Sequence, residues 1–424
     1  MNVKQEVYRL KEDSPILASS GIEKRNQALR FIAELIREHS GEIFAENEKD
    51  LKAAKENHIS SAVMKRLKFD EGKLEASIKG IEQLILLLDP LNRTKLNRQL
   101  DEGLVLKQVT CPIGVIGVIF EARPDALIQI SSLCLKSGNC AVLKGGKETV
   151  HTNRILFQFI REGVIKAGLP QNCVLQVEQH NEIDELLECD DCVDLLIPRG
   201  SNAFVQYIMN HTRIPVMGHA DGICHIYVDK EADFDEAIRI IVDAKTQYTA
   251  ACNAVETILV HEDIADEFLP KLSEELKKNH VEIKGTRAVT GRIGGEPVER
   301  EDFKEYLELI VSVDVVDSID AAIRHINTYG SHHTDAIVSK DLGAAEYFMN
   351  LVDSAGVYHN CSTRFADGFR YGFGAEVGIS TGKIHARGPV GLDGLVTYKY
   401  KLFGSGQTVD EYASGQKQFH FMDQ

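Results

Sequence analysis

Long hydrophobic runs and an excess of positive charge are both missing from this sequence of 424 residues. No run reaches the roughly 20 apolar residues of a membrane span, and the N-terminal residues Met1-Asn-Val-Lys4 begin no apolar core of a signal peptide. The formal net charge is −16, whereas a phosphate backbone or an anionic membrane attracts a basic face. We therefore expect a cytoplasmic protein with neither nucleic acid nor a membrane as its partner.

A paired set of cysteines is missing as well. The nine cysteines are an odd number, scattered from Cys111 to Cys361, which suits reduced thiols better than a disulfide framework. Cys189-Asp-Asp-Cys192 has the spacing of half a zinc site or of a redox pair. Since no second pair lies nearby in the sequence, we interpret this spacing as coincidence and expect no metal.

The glycine signature Gly-x-Gly-x-x-Gly has no clean instance, which counts against a lactate-dehydrogenase-like protein. What is present is a globular composition, with 43% hydrophobic and 26% charged residues. The chain is long for a single core, so two domains with an appendage are expected.

The hydrophobic pattern divides most of the chain into two series of strands and helices. Before them, residues 24–38, 46–57 and 72–88 have helical periodicity. The first series comprises strands at 113–120, 141–143, 173–177 and 193–197 with helices at 126–136, 149–167 and 201–209. The second comprises strands at 223–228, 255–260 and 335–338 with helices at 233–243, 263–278, 318–327 and 341–352. This alternation predicts two doubly wound α/β domains, each with a parallel sheet covered on both faces. Residues 104–109 and 395–402 alternate as exposed strands and belong to neither series.

One cysteine lies in a setting that suits a nucleophile. Cys252 stands between small residues and leads into a buried-strand pattern. A thiol held in this way can attack a carbonyl carbon, and the amides of Cys252 and Asn253 can receive the oxyanion that forms. The alternative is that Cys252, like most free cysteines, is a small buried hydrophobic residue.

Seven ordered motifs together resemble one known family. They are Ile119-Phe-Glu-Ala-Arg-Pro-Asp125, Leu143-Lys-Gly-Gly-Lys-Glu148, Ile197-Pro-Arg-Gly-Ser201, Gly222-Ile-Cys-His225, Cys252-Asn-Ala-Val-Glu-Thr257, Ser362-Thr-Arg-Phe365 and Gly374-Ala-Glu-Val-Gly-Ile-Ser380. In this order the chain resembles the gamma-glutamyl phosphate reductases, or glutamate-5-semialdehyde dehydrogenases, of the aldehyde dehydrogenase superfamily.

The resemblance implies an aldehyde dehydrogenase-like α/β fold with a small protruding sheet for oligomerisation. It assigns residues 1–93 and 112–218 to a nucleotide-binding domain and 219–390 to a catalytic domain. Residues 94–111 and 391–424 become the oligomerisation segments. A homo-oligomer is expected, and glutamate 5-kinase is a candidate partner.

The resemblance also implies a set of cofactor-binding residues: Lys144, Gly146, Lys147, Gly200, Ser201 and Glu305. Pyrophosphate would lie over the turn at Gly200 and Ser201, and Lys144 would contact the adenosine ribose. Glu305 corresponds to the glutamate that holds the nicotinamide ribose. Lys147 falls where relatives that prefer NAD often carry glutamate, and a cation there favours NADP. Without the resemblance these residues read as ordinary turns and surface charge.

The chemistry that the resemblance implies is reduction of L-glutamyl 5-phosphate in proline biosynthesis. Cys252 would displace phosphate, NADPH would reduce the thioester, and the semialdehyde would leave. Hydrolytic aldehyde dehydrogenases need a glutamate base, but the corresponding stretch here reads Gly218-His219. The oxyanion-hole asparagine of those relatives falls near Ala122. His219 is left with two interpretations, proton transfer or a structural role.

The substrate carries two anionic groups, and guanidinium binds carboxylate or phosphate in a bidentate manner. Arg123, Arg199 and Arg364 each stand in a matched motif. We assign the α-carboxylate to Ser362, Thr363 and Arg364, the ammonium group to Glu121, and the phosphate to Arg123 or Arg199. Structural ion pairs are the alternative for each charged residue.

Two other functions remain open at this point. One is an aldehyde dehydrogenase of another specificity that does not use coenzyme A. The other is a non-catalytic nucleotide-binding partner of a glutamate kinase, which the Cys252-Asn253 pair disfavours, since a scaffold has no use for a positioned thiol.

Overall fold

A computed structural model describes residues 2–178, 182–219 and 221–424. The helices are α1 (Val3–Ser19), α2 (Ile22–Glu38), α3 (Ser40–Glu56), α4 (Ser61–Leu67), α5 (Glu71–Leu86), α6 (Pro124–Lys136), α7 (Val150–Lys166), α8 (Glu182–Leu187), α9 (Asn202–Asn210), α10 (Phe234–Thr246), α11 (Glu262–Lys278), α12 (Arg287–Ile293), α13 (Ile319–Tyr329), α14 (Leu342–Leu351) and α15 (Val409–Ala413). The strands are β1 (Thr94–Asp101), β2 (Leu104–Pro112), β3 (Val115–Phe120), β4 (Cys140–Gly145), β5 (Val174–Val177), β6 (Leu195–Arg199), β7 (Cys224–Val228), β8 (Val255–His261), β9 (Glu282–Gly285), β10 (Ile310–Val316), β11 (Thr334–Val338), β12 (Gly356–His359), β13 (Gly378–Ser380), β14 (Gly388–Val390), β15 (Val396–Phe403) and β16 (Met422–Asp423).

The N-terminal helices cover the first sheet. In α2 the apolar stripe that includes Leu29, Ile32 and Ile36 is fully buried, as its periodicity predicts. The preceding helix α1 is absent from the sequence prediction. Its buried residues Val3, Val7 and Leu10 follow the helical spacing, but Pro15 stands inside the helix and weakens the signal.

The first series of strands forms a four-stranded parallel sheet in the order β5-β4-β3-β6. Every residue of β3 is buried, as expected for a central strand that is covered on both faces. The carboxyl ends of β4 and β6 carry Lys144 and Arg199 at one edge of this sheet.

The second series forms a six-stranded parallel sheet in the order β12-β11-β7-β8-β10-β9. Its strand β10 was not predicted, because Ser312 and Asp314 interrupt the apolar run although both are buried. The Asp314 carboxylate accepts hydrogen bonds from Thr286 Oγ1, at 2.6 Å, and from Arg300 Nε. These partners allow an acidic residue to lie inside the sheet.

A separate antiparallel sheet has the order β15-β2-β1-β16. The predicted strand segments at 104–109 and 395–402 lie in β2 and β15, which pair from Val396↔Pro112 to Phe403↔Val105. Strand β1 has a polar sequence and was not predicted. Beyond Val396, every residue of the edge strand β15 is exposed.

The segment that contains the short strands β13 and β14 packs in a different core from the one that the proposed domain division assigns to it. Val377, Ala386 and Val390 fall in the segment assigned to the catalytic domain, yet they pack in the hydrophobic core of the four-stranded sheet. A strand of three residues has too few side chains for its pattern to indicate which core it joins. Among the described residues, no helix is long and apolar enough to cross a membrane.

Candidate active site

Cys252 lies on the turn between helix α10 and strand β8. A buried ion pair joins the two ends of this segment: Lys245 Nζ, near the end of α10, lies 2.7 Å from Glu256 Oε2 in β8. Burial raises the pKa of Glu256 to about 7 and lowers the pKa of Lys245, and the attraction between the two groups opposes both shifts. The pair fixes the end of the helix against the strand and so defines the path of the nucleophile turn.

A glycine packs directly against the cysteine backbone. A Cβ atom added to Gly222 would lie 2.2 Å from the carbonyl oxygen of Cys252 and 2.7 Å from its Cα atom. These distances are far below van der Waals contact, so any larger residue at 222 must displace the turn. At Gly218, by contrast, the nearest atom to an added Cβ is Pro198 Cγ at 3.7 Å, an ordinary contact.

The thiol contacts a histidine that the sequence analysis did not identify. His333 Nε2 lies 3.2 Å from Cys252 Sγ. The other ring nitrogen, Nδ1, lies 3.0 Å from Thr334 Oγ1. In the tautomer whose Nδ1–H donates to that hydroxyl, the Nε2 lone pair faces the thiol and can accept its proton.

His219 completes this group. Its Nδ1 lies 2.9 Å from the carbonyl oxygen of Ile379, which can only accept, so Nδ1 carries the proton. Burial lowers the pKa of His219, and the neutral ring therefore keeps its lone pair on Nε2. The rings of His219 and His333 meet edge to face, with centroids 4.9 Å apart. Nitrogen atoms of these two histidines and Cys252 Sγ all lie within 4.8 Å of one another.

Asn253 and Thr363 hold the nucleophile turn to the loop after β12. Asn253 Nδ2 donates to the Ala366 carbonyl at 2.8 Å, and Thr363 Oγ1 donates to the Asn253 carbonyl at 2.7 Å. Both side chains are buried. Within the described part of the chain, the backbone amides of Cys252 and Asn253 donate no hydrogen bond, which leaves them available to an oxyanion.

Two guanidinium groups lie near the thiol. Arg199 and Arg364 both interact electrostatically with Cys252, and burial lowers the pKa of each. Arg199 Nη1 donates to the Val377 carbonyl at 2.6 Å. Arg364 Nε donates to Gln247 Oε1 at 2.9 Å, and its guanidinium stands 5.9 Å from the ring centroid of Tyr248.

The other predicted substrate residues lie in different positions. Arg123 is exposed and forms no ion pair within the described ranges. Ser362 is buried, and its Oγ accepts from the Arg364 amide at 3.3 Å, so the hydroxyl supports the local turn. Glu121, which the sequence analysis assigns to an ammonium group, accepts from the Ser201 amide at 3.1 Å instead.

This glutamate stands at the turn that was assigned to pyrophosphate. A Cβ atom on Gly200 would lie 2.5 Å from Glu121 Oε2, and helix α9 begins two residues later at Asn202. The α9 N-terminus therefore already receives a negatively charged group, as free helical amides favour. Glu305 lies beside it, because Glu305 Oε2 accepts from Asn202 Nδ2 at 2.7 Å.

The lysines after strand β4 differ in exposure. Lys144 is buried, its Nζ donates to the Gly145 carbonyl at 2.6 Å, and burial lowers its pKa. Lys147 is exposed. Glu148 folds over the intervening Gly146, where an added Cβ would lie 2.1 Å from its Oε1.

The Cys-x-x-Cys segment has a structural setting. Cys189 Sγ donates to the Glu185 carbonyl at 3.1 Å and Cys192 Sγ to the Cys189 carbonyl at 3.7 Å. Burial raises the pKa of both thiols, that of Cys192 to about 12. Among the described residues, the group of potential metal ligands found is His219, Cys252 and His333, and it does not include this pair.

Sequence reasoning missed His333, Gly222 and Glu376. Glu376 is a partly buried acid whose pKa is raised by burial and which interacts with Arg199 and His219. Gly222 and Glu376 stand inside matched motifs, so a signal was present for both. His333 directly precedes strand β11 and lies outside all the matched motifs. Its role depends on its contact with Cys252, which is 81 residues away in the sequence.

This geometry agrees with the family to which the chain is related. The sequence profile of the aldehyde dehydrogenase family matches residues 2–291, more than half of the chain. The chain therefore belongs to the aldehyde dehydrogenase family, and the expected fold is confirmed. It is accordingly an enzyme of the oxidoreductase class.

Within that family the expected resemblance to the gamma-glutamyl phosphate reductases is also confirmed. The gamma-glutamyl phosphate reductase of Acetivibrio thermocellus is 54% identical over 99% of this chain and 97% of that protein. The crystal structure of the gamma-glutamyl phosphate reductase of Thermotoga maritima has a TM-score of 0.94 at 35% identity, covering 96% of this chain and 100% of that one. Glyceraldehyde-3-phosphate dehydrogenase GapN of Methanocaldococcus jannaschii, complexed with NADP, shares the fold at 16% identity with a TM-score of 0.66, over 95% of this chain and 94% of that one.

Proposed function

We propose that the protein reduces L-glutamyl 5-phosphate to L-glutamate 5-semialdehyde with NADPH, through a thioester on Cys252, as a cytoplasmic step of proline biosynthesis. The names of the relatives support the substrate, since 54% identity extends over 97% of the Acetivibrio protein. The observation that carries the chemistry is the 3.2 Å contact between Cys252 Sγ and His333 Nε2.

The first step belongs to the cysteine and its neighbours. His333 Nε2 accepts the thiol proton, and the thiolate of Cys252 attacks the acyl carbon of the substrate. The amides of Cys252 and Asn253 receive the oxyanion, and the departure of phosphate leaves a thioester on Sγ. After reduction, the thiohemiacetal collapses, the semialdehyde leaves and the thiolate is restored.

Charge at the site suits a doubly anionic substrate. Arg199 and Arg364 interact electrostatically with the thiol from two different elements, and Arg123 is exposed, so its side chain can turn towards a ligand. We assign the α-carboxylate to Arg364 with the backbone of the segment from Ser362 to Thr363, and the phosphate to Arg199 or Arg123. Glu121 can bind the ammonium group of the substrate only by leaving the Ser201 amide.

The residues present fit a nicotinamide dinucleotide. The α9 N-terminus binds the Glu121 carboxylate through the Ser201 amide, so an anionic pyrophosphate has a matching donor there once Glu121 moves. Lys144 and Gly146 would face the adenosine side and Glu305 the nicotinamide ribose. Lys147 is exposed at the same turn, and its charge favours the 2′-phosphate of NADP. When bound, NADPH would supply the hydride for the thioester.

Water is a poor competitor for the thioester in this site. The stretch that carries a glutamate base in hydrolytic relatives reads Gly218-His219. The orientation of the His219 ring is fixed by the hydrogen bond from its Nδ1 to the Ile379 carbonyl. Phosphate is already a competent nucleophile and needs no base of this kind. The reverse reaction therefore depends on phosphate.

The test is oxidation of glutamate semialdehyde with NADP, with and without inorganic phosphate. We expect steady NADPH formation with phosphate and at most one turnover per site without it. Equal steady rates would mean that the thioester is hydrolysed and would favour an aldehyde dehydrogenase of another specificity. In that case Glu376 and His219 become the candidate bases, since both are partly buried and interact electrostatically with Arg199.

The antiparallel sheet supports the proposal of a homo-oligomer. Its edge strand β15 exposes Tyr398, Tyr400, Leu402 and Phe403, and an edge strand of this length and apolarity is normally covered. Sedimentation of Leu402→Glu should give a smaller species than the parent protein. Association with a glutamate 5-kinase remains a proposal from the resemblance, as does the division into the three segments described above.

A further inference from the structure

The candidate active site brings together three side chains that can bind a metal ion, namely one cysteine and two histidines. Cys252 Sγ lies 3.2 Å from His333 Nε2, and the His219 ring brings its nitrogen within 4.8 Å of the other two atoms. A tetrahedral zinc ion with bonds of about 2.3 Å to sulfur and 2.0–2.1 Å to nitrogen separates its ligands by about 3.3–3.6 Å. The three atoms reach this spacing with side-chain movements of roughly one ångström.

His219 is held in the tautomer that binds a metal through Nε2, and the contacts of His333 permit the same tautomer. His219 donates its Nδ1 proton to the Ile379 carbonyl, and Nδ1 of His333 contacts Thr334 Oγ1. A hydrogen bond at one ring nitrogen that orients the lone pair of the other is the usual support around a metal-binding histidine.

We propose that His219, Cys252 and His333 form a zinc-binding site that inactivates the enzyme reversibly. Zn²⁺ takes the electron pair of the Cys252 thiolate and the Nε2 lone pair of His333, and the thiol proton passes to solvent. The nucleophile and its base are then both occupied. The metal is an inhibitor and has no part in turnover. Metal binding does not depend on the proposed function, whereas the inhibition by zinc rests on the proposed function.

Nearby charges determine how firmly the ion is held. Arg199 and Arg364 repel a cation, while Glu305 and Glu376, which both interact with His219, offset that repulsion. Three protein ligands leave the fourth position open to water or to substrate. Such a site binds more weakly than a closed structural zinc site, which suits a metal that must leave again.

Cobalt(II) is the probe for the site, because a cobalt–thiolate bond has a charge-transfer absorption in the near ultraviolet. Titration of the cofactor-free protein in thiol-free buffer should give this band with one Co²⁺ per chain, and Zn²⁺ should remove it. The band should disappear in Cys252→Ala and persist in Cys189→Ser, the control for the other candidate pair. His219→Gln should weaken Co²⁺ binding at least about 100-fold, since loss of a mere supporting contact already costs 10- to 100-fold.

A second measurement uses only the parent protein, so it does not depend on the folding of a variant. Zn²⁺ should slow alkylation of Cys252 by iodoacetamide and leave Cys111, another partly exposed cysteine, unaffected. EDTA should restore both the alkylation rate and the activity. A cobalt band that survives in Cys252→Ala, or equal protection of Cys111, would overturn the proposal. Failure of the phosphate-dependent assay with an intact cobalt site would instead reject the proposed function alone.

Discussion

The two parallel sheets contribute to the candidate active site from opposite ends of their strands. In the four-stranded sheet, Lys144 and Arg199 stand at the carboxyl ends of β4 and β6. In the six-stranded sheet, Cys252 precedes β8 and His333 precedes β11, so both stand at the amino ends. The candidate active site therefore joins the carboxyl edge of one sheet to the amino edge of the other.

This difference explains which residues the sequence could identify. Ligands of open α/β sheets usually bind outside the carboxyl ends of the strands, and that rule directs attention to Lys144 and Arg199. It directs no attention to His333, which enters its strand from the opposite side. In the first sheet the carboxyl ends of the strands position the side chains of the candidate active site. In the second sheet, contacts between loops at the amino edge position them.

The largest effect is expected for removal of the nucleophile at the amino edge. Cys252→Ala should lower kcat by more than about 1,000-fold, because covalent catalysis is lost with its nucleophile. Affinity for NADPH, measured by fluorescence titration, should stay nearly unchanged, since the thiol forms the covalent thioester and contributes little to cofactor binding. Cys111→Ala is the control. Retention of more than about a tenth of the rate would exclude a covalent thioester.

Loss of the base on the same edge should come next. His333→Gln should reduce kcat/KM by about 100- to 10,000-fold, the usual contribution of a general base. It should also flatten the pH dependence of Cys252 alkylation, which a purely structural histidine would not do. His359→Gln, whose ring contacts the Ser339 carbonyl, is the matched control. An unchanged alkylation profile would assign His333 a structural role.

The third prediction concerns the position of the nucleophile turn. Gly222→Ala should lower kcat about 100-fold, since a misplacement of one ångström costs this much, while Cys252 stays open to alkylation. Gly218→Ala, where the added methyl has room, should retain most of the activity. If both variants behave alike, the contact between Gly222 and Cys252 does not set the geometry of the site.

The smallest effect is expected at the carboxyl edge. Lys147→Glu should lower the NADPH/NADH ratio of kcat/KM at least tenfold, because charge-assisted hydrogen bonds contribute about 1.5–3 kcal/mol. Lys79→Glu, on the outer face of α5, should leave the ratio unchanged. A constant ratio in Lys147→Glu would mean that another residue recognises the 2′-phosphate.

Local pattern predicted most of the fold. Strands β3 and β8 and helices α2 and α11 follow from apolar runs or stripes whose period matches the element. Strand β10 was missed because its buried Asp314 is satisfied by Thr286 and Arg300, which no local window contains. Burial of a polar group depends on distant partners, and pattern alone cannot supply them.

The candidate site was predicted less completely for a related reason. Cys252 and the arginines could be proposed because the chemistry of each residue is visible in its own motif. Glu121 was assigned to an ammonium group, although its carboxylate lies on the Ser201 amide. His333 gave no sequence signal, because its role depends on its contact with the Cys252 thiol. The residues next to it in the sequence do not indicate that contact.

The ion pair between Lys245 and Glu256 has a consequence for the order of folding. It closes a segment of only 11 residues in sequence, and a short loop loses little entropy when its ends meet. A buried charge can pair with few other groups, so the ion pair also favours one alignment of α10 against β8. A hydrophobic pair in its place would often be more stable but less specific. We therefore expect α10, the nucleophile turn and β8 to assemble early as one unit, before the two sheets dock. Pulse-labelling hydrogen exchange should find the amides of β8 protected sooner than those of β13, a short strand whose neighbours Val377 and Val390 pack in the core of the other sheet.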